Sequence, residues 1–109
     1  MHQLFFYVPT SHCEQVKEAL FVKGAGRIGN YDRCSWQVRG SGQYRPLAGS
    51  SPFLGSPGRL ERVEEIRVEM VVADELVGEV VEALLEAHPY EEPAYGVLRI
   101  QTRDDLRAT

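Results

Sequence analysis

The sequence is short of cysteine, of basic residues and of long apolar runs, and each shortage excludes a class of protein. Its two cysteines, Cys13 and Cys34, have no C-x-x-C spacing and are too few for a disulfide framework, so we expect a reduced, cytoplasmic setting. The net charge of −4 lacks the basic excess typical of nucleic-acid-binding domains, so no nucleic-acid partner is expected. No apolar run approaches the roughly 20 residues that span a bilayer, so no membrane partner is expected either.

What the chain does contain is enough apolar material for one core. It has 109 residues, of which 43% are hydrophobic, a proportion typical of a globular protein. A chain of this length forms one domain rather than two, so residues 1–109 are expected to fold as a single unit. The N-terminal MHQLFFYVP has neither the basic region nor the cleavage site of a secretory signal.

The N-terminal residues predict a first unit of one strand followed by one helix. Residues 4–8 form a short apolar run that predicts a buried strand. Ser11 and Glu14 make an S-x-x-E capping box, which predicts that a helix begins there. Gly24 predicts the end of that helix, in a left-handed conformation.

A second unit occupies the C-terminal half. Residues 60–72 alternate between apolar and charged side chains and predict a long strand, with a bulge where Glu64 and Glu65 break the phase. Asp74 predicts an N-cap, and Pro89 predicts that the helix ends at the residue before it. Residues 95–101 are the last predicted strand, and the polar tail beyond them is expected to fray.

The middle of the chain is rich in glycine, proline and serine. Residues 31–39 alternate and predict a half-buried strand with Cys34, Trp36 and Val38 facing inward. Residues 40–58 predict a long loop, which in a compact domain is usually functional or mobile.

One motif in this region is misleading. Gly24, Gly26 and Gly29 match G-x-G-x-x-G, the pattern of a dinucleotide-binding turn. That turn follows a strand and opens a helix, whereas this one follows a helix and leads into a strand. The sequence therefore predicts no dinucleotide cofactor.

The order of elements predicts an α+β fold of the ferredoxin-like βαββαβ type. It consists of a four-stranded antiparallel sheet with two helices on one face and a long loop between strands 2 and 3. The opposite face, expected to carry Arg67, Glu69 and Arg99, is only partly polar. Together with the apolar residues of the loop, it indicates a homo-oligomer.

The beginning of the loop is the best candidate for a small-ligand site. Gly40 and Gly42 would expose backbone N–H groups, Arg45 could hold a phosphate or carboxylate, and Tyr44 could stack on a base. Arg27, in the earlier glycine turn, is expected to join from the same end. The pattern predicts a small anionic or nucleotide ligand, and the alternative is a structural loop that packs on a neighbouring subunit.

The turn of residues 88–92 is a second candidate. His88, Glu91 and Glu92 bring an imidazole and two carboxylates together, and these are ordinary ligands of divalent metals. A metal site needs three or four convergent ligands. The alternative is that His88 favours a helix C-terminus and the flanking prolines build a rigid turn.

Three segments carry a specific resemblance to known proteins: VPTSHCEQVKEALFVKGAGRIGNYDRCSW, GSGQYRPLAGSSPFLGSPGRLERVEEIRVE and ALLEAHPYEEPAYGV. They cover nearly the whole chain and resemble the small domain that is inserted in the Nif-three-like (YqfO) proteins and also occurs alone. The resemblance implies a fold similar to the CutA and PII signalling proteins, which are ferredoxin-like trimers. It also implies a signalling role for the long loop, with ligands bound in clefts between subunits.

The resemblance limits the chemistry that can be expected. In full-length relatives two flanking halves carry a dinuclear metal site, and some are named as GTP cyclohydrolase homologues. The 109 residues do not include those halves. The three histidines His2, His12 and His88 are too far apart in sequence to suggest the family's metal ligands, so that chemistry is not expected to carry over.

The sequence therefore predicts a stand-alone, homo-oligomeric module that binds a small ligand or regulates without catalysis, and the resemblance implies that the oligomer is a trimer. One alternative is a divalent-metal-binding protein or an enzyme that uses the turn of residues 88–92. The other is a purely structural assembly domain.

Overall fold

The computed structural model describes residues 1–107. This part of the chain contains four strands and three α-helices. In chain order they are β1 (His2–Pro9), α1 (Cys13–Phe21), β2 (Trp36–Tyr44), β3 (Glu61–Val72), α2 (Val77–Ala87), β4 (Tyr95–Arg99) and α3 (Arg103–Leu106). Single turns of 3₁₀ helix, Thr10–His12 and Asp74–Leu76, lead into α1 and α2. The last two residues of the expected domain lie outside the described range.

The strands form one antiparallel sheet in the order β2-β3-β1-β4. The two central strands, β1 and β3, are far apart in sequence, and Leu4 of β1 lies between Met70 of β3 and Val97 of β4. Both long helices pack on the same face of the sheet. The predicted α+β, ferredoxin-like arrangement is confirmed, including a long connection between β2 and β3 that covers residues 45–60.

The core lies between the helices and one face of the central strands. Val16 and Leu20 of α1 and Val80 and Leu84 of α2 are buried, because a spacing of four places each pair on one side of its helix. They meet alternate strand residues, since successive side chains of a strand point to opposite faces. Those buried strand residues are Leu4, Phe6, Val8, Ile66, Val68, Met70 and Val72.

The helices begin differently from the prediction. Neither α1 nor the 3₁₀ turn before it has a side-chain cap, so the predicted capping box of Ser11 and Glu14 is wrong. The predicted N-cap Asp74 is also wrong, because its carboxylate instead lies 2.8 Å from His2 Nδ1. In both units the 3₁₀ turn occupies the place of the expected first helical turn. The predicted left-handed glycine is confirmed, with φ of 99° at Gly24.

Strand β2 begins later and extends further than predicted. Residues 40–44, expected in the loop, belong to the strand. Glycine is rare in strands, which hid this extension in the sequence. Pairing with β3 is continuous from Trp36 opposite Glu69 to Tyr44 opposite Glu61. The predicted bulge at Glu64 and Glu65 is therefore wrong.

The sheet face away from the helices, here called the open face, carries the side chains that were expected inside. Trp36 and Val38 lie on it and are 60% and 45% exposed, and Leu98 is 51% exposed. Cys34 precedes β2 and lies in the connection from α1. The expected inward orientation of this strand is wrong, because alternation reveals two faces but not which one the helices cover.

Arg67 and Glu69 lie on the open face, as predicted, and are joined by an ion pair of 3.0 Å. Arg99 does not share it, since it lies opposite His2 on the helix side. Phe5 packs over Gly96 on the open face, and the Arg67 guanidinium carbon lies 4.5 Å from the centre of the Phe5 ring.

As far as residue 107, the tail after β4 forms the short helix α3 rather than fraying, and residues 108–109 of the predicted tail lie outside the described range. Its capping box joins Thr102 and Asp105, and the Thr102 N–H donates to Asp105 Oδ2 at 2.9 Å. Within residues 1–107 no helix combines the length and the apolar character that crossing a membrane requires.

Candidate functional site

A cavity of about 570 Å³ opens where the end of β2 meets the segment after α2. Its walls come from three parts of the chain: residues 41–47 with Ser50, Pro52 and Phe53, residues 90–92 with Ala94, and the central strands. The central strands contribute Tyr7 of β1 and Glu65 of β3. Two stretches more than thirty residues apart in sequence therefore share one concave surface.

The strand pairing explains why the cavity forms here. Strand β1 pairs with β3 only from Glu65 onward, whereas β2 pairs with β3 back to Glu61. Residues 61–64 and 41–44 thus extend beyond β1 as a two-stranded ribbon. The segment after α2 reaches the base of this ribbon through the bond from the Tyr90 hydroxyl to Glu65, and the cavity is lined by both.

Glu65 is positioned by Gly42, which lies on the adjacent strand two residues beyond Gly40, the residue that pairs with Glu65. A Cβ at Gly42 would lie 2.5 Å from the Glu65 carboxyl carbon, so the carboxylate rests where a side chain would otherwise be. Tyr90 holds it from the other side, its hydroxyl donating to Glu65 Oε2 at 2.7 Å. The burial of Tyr90 and its bond to Glu65 raise the pKa of this phenol, so it remains a donor at neutral pH.

Three aromatic rings, Tyr44, Phe53 and Tyr90, form an aromatic cluster on the cavity wall. The Tyr90 ring centre lies 5.8 Å from that of Tyr44 and 6.3 Å from that of Phe53, and both pairs are tilted. These distances are normal for packed aromatic pairs. The Tyr44 hydroxyl donates to the carbonyl of Leu54 at 2.8 Å, which ties the loop after β2 to the strand.

His88 lies behind the cavity and fixes the turn that supplies Tyr90. The Tyr90 N–H donates to His88 Nδ1 at 3.1 Å, so Nε2 carries the proton and donates to the Tyr7 carbonyl at 2.7 Å. The ring is only 6% exposed. Burial lowers the pKa of this imidazole, opposed by its bond to the Tyr7 carbonyl and by the charge of Glu65, and His12 lowers it further.

The charge around the cavity is negative. Glu65, Glu91 and Glu92 line it, against the single cation Arg45. Glu91 Oε1 accepts a bond from the Ser51 N–H at 2.8 Å. Among the described residues no Lys, Arg or His lies within ion-pair distance of Glu65.

The structure brings together most of the residues of the two predicted sites. Gly42, Tyr44 and Arg45 from the first line the cavity, and so do Glu91 and Glu92 from the second. Sequence analysis placed these residues in two separate sites because the sequence does not show that the ends of β2 and α2 lie close together.

Two predicted members of the ligand site lie elsewhere. Gly40 is in β2 but does not line the cavity. Arg27 follows Gly26, whose N–H donates to the Val71 carbonyl at 2.8 Å. Val71 is roughly 20 Å along β3 from Glu65 at the usual strand rise, so the expectation that Arg27 joins from the same end is wrong.

The predicted metal ligands are not arranged as a ligand set. His88 does not line the cavity, and both its ring nitrogens are engaged by the backbone. In the range 1–107 no group of three or more His, Cys, Asp or Glu side chains could hold a metal ion.

Sequence reasoning missed Glu65, Tyr90, Phe53 and Tyr7 as wall residues. A signal for Glu65 existed in the charged pair that interrupts the alternation of β3. It was interpreted as a bulge, whereas it marks the point at which the strand leaves the core.

Known proteins include chains that are similar to this one in sequence and in structure. The chain is 45% identical over 95 residues to the GTP cyclohydrolase 1 type 2 homolog of Halalkalibacterium halodurans, covering 87% of this chain and 26% of that protein. A crystal structure of a Bacillus cereus protein related to NIF3 shares 40% identity with a TM-score of 0.79, covering 93% of this chain and 26% of that one. The predicted resemblance to the Nif-three-like proteins is confirmed.

A protein of known structure that is less similar in sequence has this fold over most of its own length. CutA1 from Pyrococcus horikoshii is 18% identical with a TM-score of 0.67, and the match covers 94% of this chain and 85% of CutA1. The chain spans about a quarter of the length of the curated relatives that it matches, 26% in the first. No protein-family model matches the chain.

Proposed function

We propose that this chain, which is similar along most of its length to part of the NIF3-related proteins, is a non-catalytic module that binds a small ligand. In this proposal residues 1–109 act as one domain, and ligand binding regulates an oligomer of the chain. The observation that carries the proposal is the cavity between the β2–β3 ribbon and the segment after α2.

The cavity has the features expected of a small-molecule site. Its volume of about 570 Å³ falls within the usual range for such pockets, roughly 300–1,000 Å³. Aromatic rings form much of the wall, and a few polar groups converge on it. Its position offers a regulatory route, because a ligand would contact both the ribbon and the loop that follows it.

A thermal-shift screen tests the proposal directly. The purified protein is challenged with nucleotides, small organic cations and divalent metals, since a ligand that binds only the folded state raises stability by mass action. At a ligand concentration of 100 times Kd the gain is about 2.7 kcal/mol, a clear shift for a domain of this size. Tyr90→Leu removes a cavity wall and should abolish the shift.

Tyr95→Leu is the matched control, because Tyr95 lies in β4 and does not line the cavity. If an anion is the ligand, Arg45→Ala should abolish its binding and leave assembly intact. A screen that finds no ligand, or a ligand whose binding is indifferent to Tyr90→Leu, would refute this site.

The open face favours a second candidate, a purely structural assembly domain. Trp36 and Val38 expose apolar surface on the edge strand β2, and Leu98 does so on the opposite edge strand β4. Exposed apolar surface of this kind often marks protein contacts. Sedimentation equilibrium should find an oligomer that Trp36→Glu dissociates. Leu106→Glu, which adds the same charge at an exposed position of α3, should leave the mass unchanged. A wild-type monomer would contradict both this candidate and the oligomeric part of the proposal.

A further inference from the structure

The walls of the cavity carry two features that together specify a kind of ligand. One is the excess of carboxylates over cations, and the other is the aromatic cluster of Tyr44, Phe53 and Tyr90. From their combination we infer that the ligand is a small organic cation, whose positively charged nitrogen lies between the Glu65 carboxylate and the aromatic cluster. This inference rests on the proposed function of the same cavity.

Glu65 is the first element of the argument. Its carboxylate is partly buried, and in residues 1–107 no Lys, Arg or His side chain pairs with it. The one side-chain bond it accepts comes from the neutral Tyr90 hydroxyl. A partly desolvated carboxylate of this kind is stabilised by an arriving cation and repels an arriving anion.

The position of this carboxylate is also fixed before any ligand arrives. The missing side chain of Gly42 gives it room, and the Tyr90 hydroxyl anchors one of its oxygens at 2.7 Å. The second oxygen, Oε1, rests against Gly42 and accepts no hydrogen bond from a described residue. Preorganised groups bind more tightly because less conformational freedom is lost on association.

The aromatic cluster distinguishes an organic cation from a metal ion. The faces of tyrosine and phenylalanine rings attract cations, an interaction worth about 0.5–1 kcal/mol when exposed and about 2 kcal/mol when desolvated. Ammonium groups with alkyl substituents exploit such walls, whereas a divalent metal needs several oxygen or nitrogen ligands instead. The charge of the lining also disfavours the anionic ligand that the sequence predicted, for which Arg45 is the only cation in the lining.

Choline and its uncharged isostere, the alcohol in which carbon replaces the quaternary nitrogen, form a matched pair of probes. Binding is followed by two-dimensional amide NMR, with the amides of Gly42, Ser51 and Tyr90 as reporters of the cavity. We expect choline to bind about tenfold more tightly than the isostere, the factor that a desolvated cation–π contact and one carboxylate can supply. Equal affinities would overturn the inference.

Variants separate the role of the charge from that of the ring. Glu65→Gln should weaken choline binding about tenfold and leave the isostere unaffected, whereas Glu82→Gln, an exposed glutamate of α2, should change neither. Tyr90→Phe keeps the ring but loses the hydroxyl that anchors Glu65, so it should weaken choline binding, while Tyr90→Leu removes the ring as well and should lose binding altogether. Amide spectra of each variant verify that it folds. Choline binding that is insensitive to Glu65→Gln would refute the assignment.

The outcomes keep the two proposals distinguishable. If nucleotides or other anions shift the same amides and choline does not, the cavity is a ligand site but the cation inference fails. Divalent-metal binding that depends on Glu65 would overturn it as well. If no probe of any class shifts these amides, the proposed function fails together with the inference.

Discussion

His88 provides the sharpest quantitative test of how the cavity is held together. Replacing it with alanine removes both ring bonds and leaves the Tyr7 carbonyl and the Tyr90 N–H without their protein partners. Each partly buried group left unpaired costs about 1–3 kcal/mol. With two such groups, His88→Ala should lower the free energy of unfolding by about 2–6 kcal/mol, a large share of the usual 5–15 kcal/mol.

The same residue predicts a pH dependence whose sign follows from its environment. Burial lowers the pKa of His88 below its ordinary value of 6.5, so below that pH the unfolded chain binds a proton that the folded protein refuses. The contribution of His88 is therefore complete above about pH 6.5 and is lost as the pH falls through that value. The limiting slope for one proton is about 1.4 kcal/mol per pH unit.

The measurement is urea denaturation at a series of pH values between about 8 and 5, on the wild type, His88→Ala and His88→Gln. The glutamine amide can donate and accept but does not titrate in this range, so its cost at high pH should be only about 1 kcal/mol. The curves for wild type and His88→Gln should converge as the pH falls. Parallel curves, or a loss below about 1 kcal/mol in His88→Ala, would refute the role assigned to the imidazole.

Two further predictions concern the sheet and the thiols. A Cβ at Gly96 would meet the Phe5 ring, with its Cε1 at 2.7 Å, so Gly96→Ala should destabilise the protein by about 1–3 kcal/mol. Gly78→Ala is the control, because nothing lies within 4 Å of the new methyl group in α2, and it should stabilise by about 0.5–1 kcal/mol in the same denaturation assay. Cys13 is 2% exposed and burial raises the pKa of its thiol, so in the native state a thiol reagent should modify Cys34 first. The rate for Cys13 is measured in a Cys34→Ser variant and compared with the rate for Cys34 in the wild type. A faster reaction of Cys13 would contradict the prediction.

The sequence predicted those parts of the fold that periodicity determines. The apolar run of residues 4–8 predicted β1, the alternation of residues 60–72 predicted β3, and the order of elements predicted the sheet. The predicted extent of β2 was wrong because pairing with β3, rather than intrinsic strand propensity, makes Gly40, Ser41 and Gly42 part of the strand. Trp36 was assigned to the wrong face because a local pattern carries no information about which side the helices cover.

The cavity was predicted only in pieces, for a related reason. Tyr44, Arg45, Glu91 and Glu92 were all named, but their meeting depends on long-range packing between β2 and the segment after α2. From its neighbours in sequence, His88 was predicted to be either a metal ligand or a residue at a helix C-terminus. Its actual partner in the sheet is the carbonyl of Tyr7, 81 positions away.

The empty position above Gly42 has a consequence for recognising this site in other proteins. A chain with alanine or any larger residue at the equivalent of Gly42 would displace the carboxylate that rests there, so the glycine, the glutamate and the tyrosine form a single three-residue signature. Sequences that possess the fold but lack one member should bind a different molecule or none. Under the proposed function, the three positions together would sort proteins of this fold by specificity before any of them is assayed.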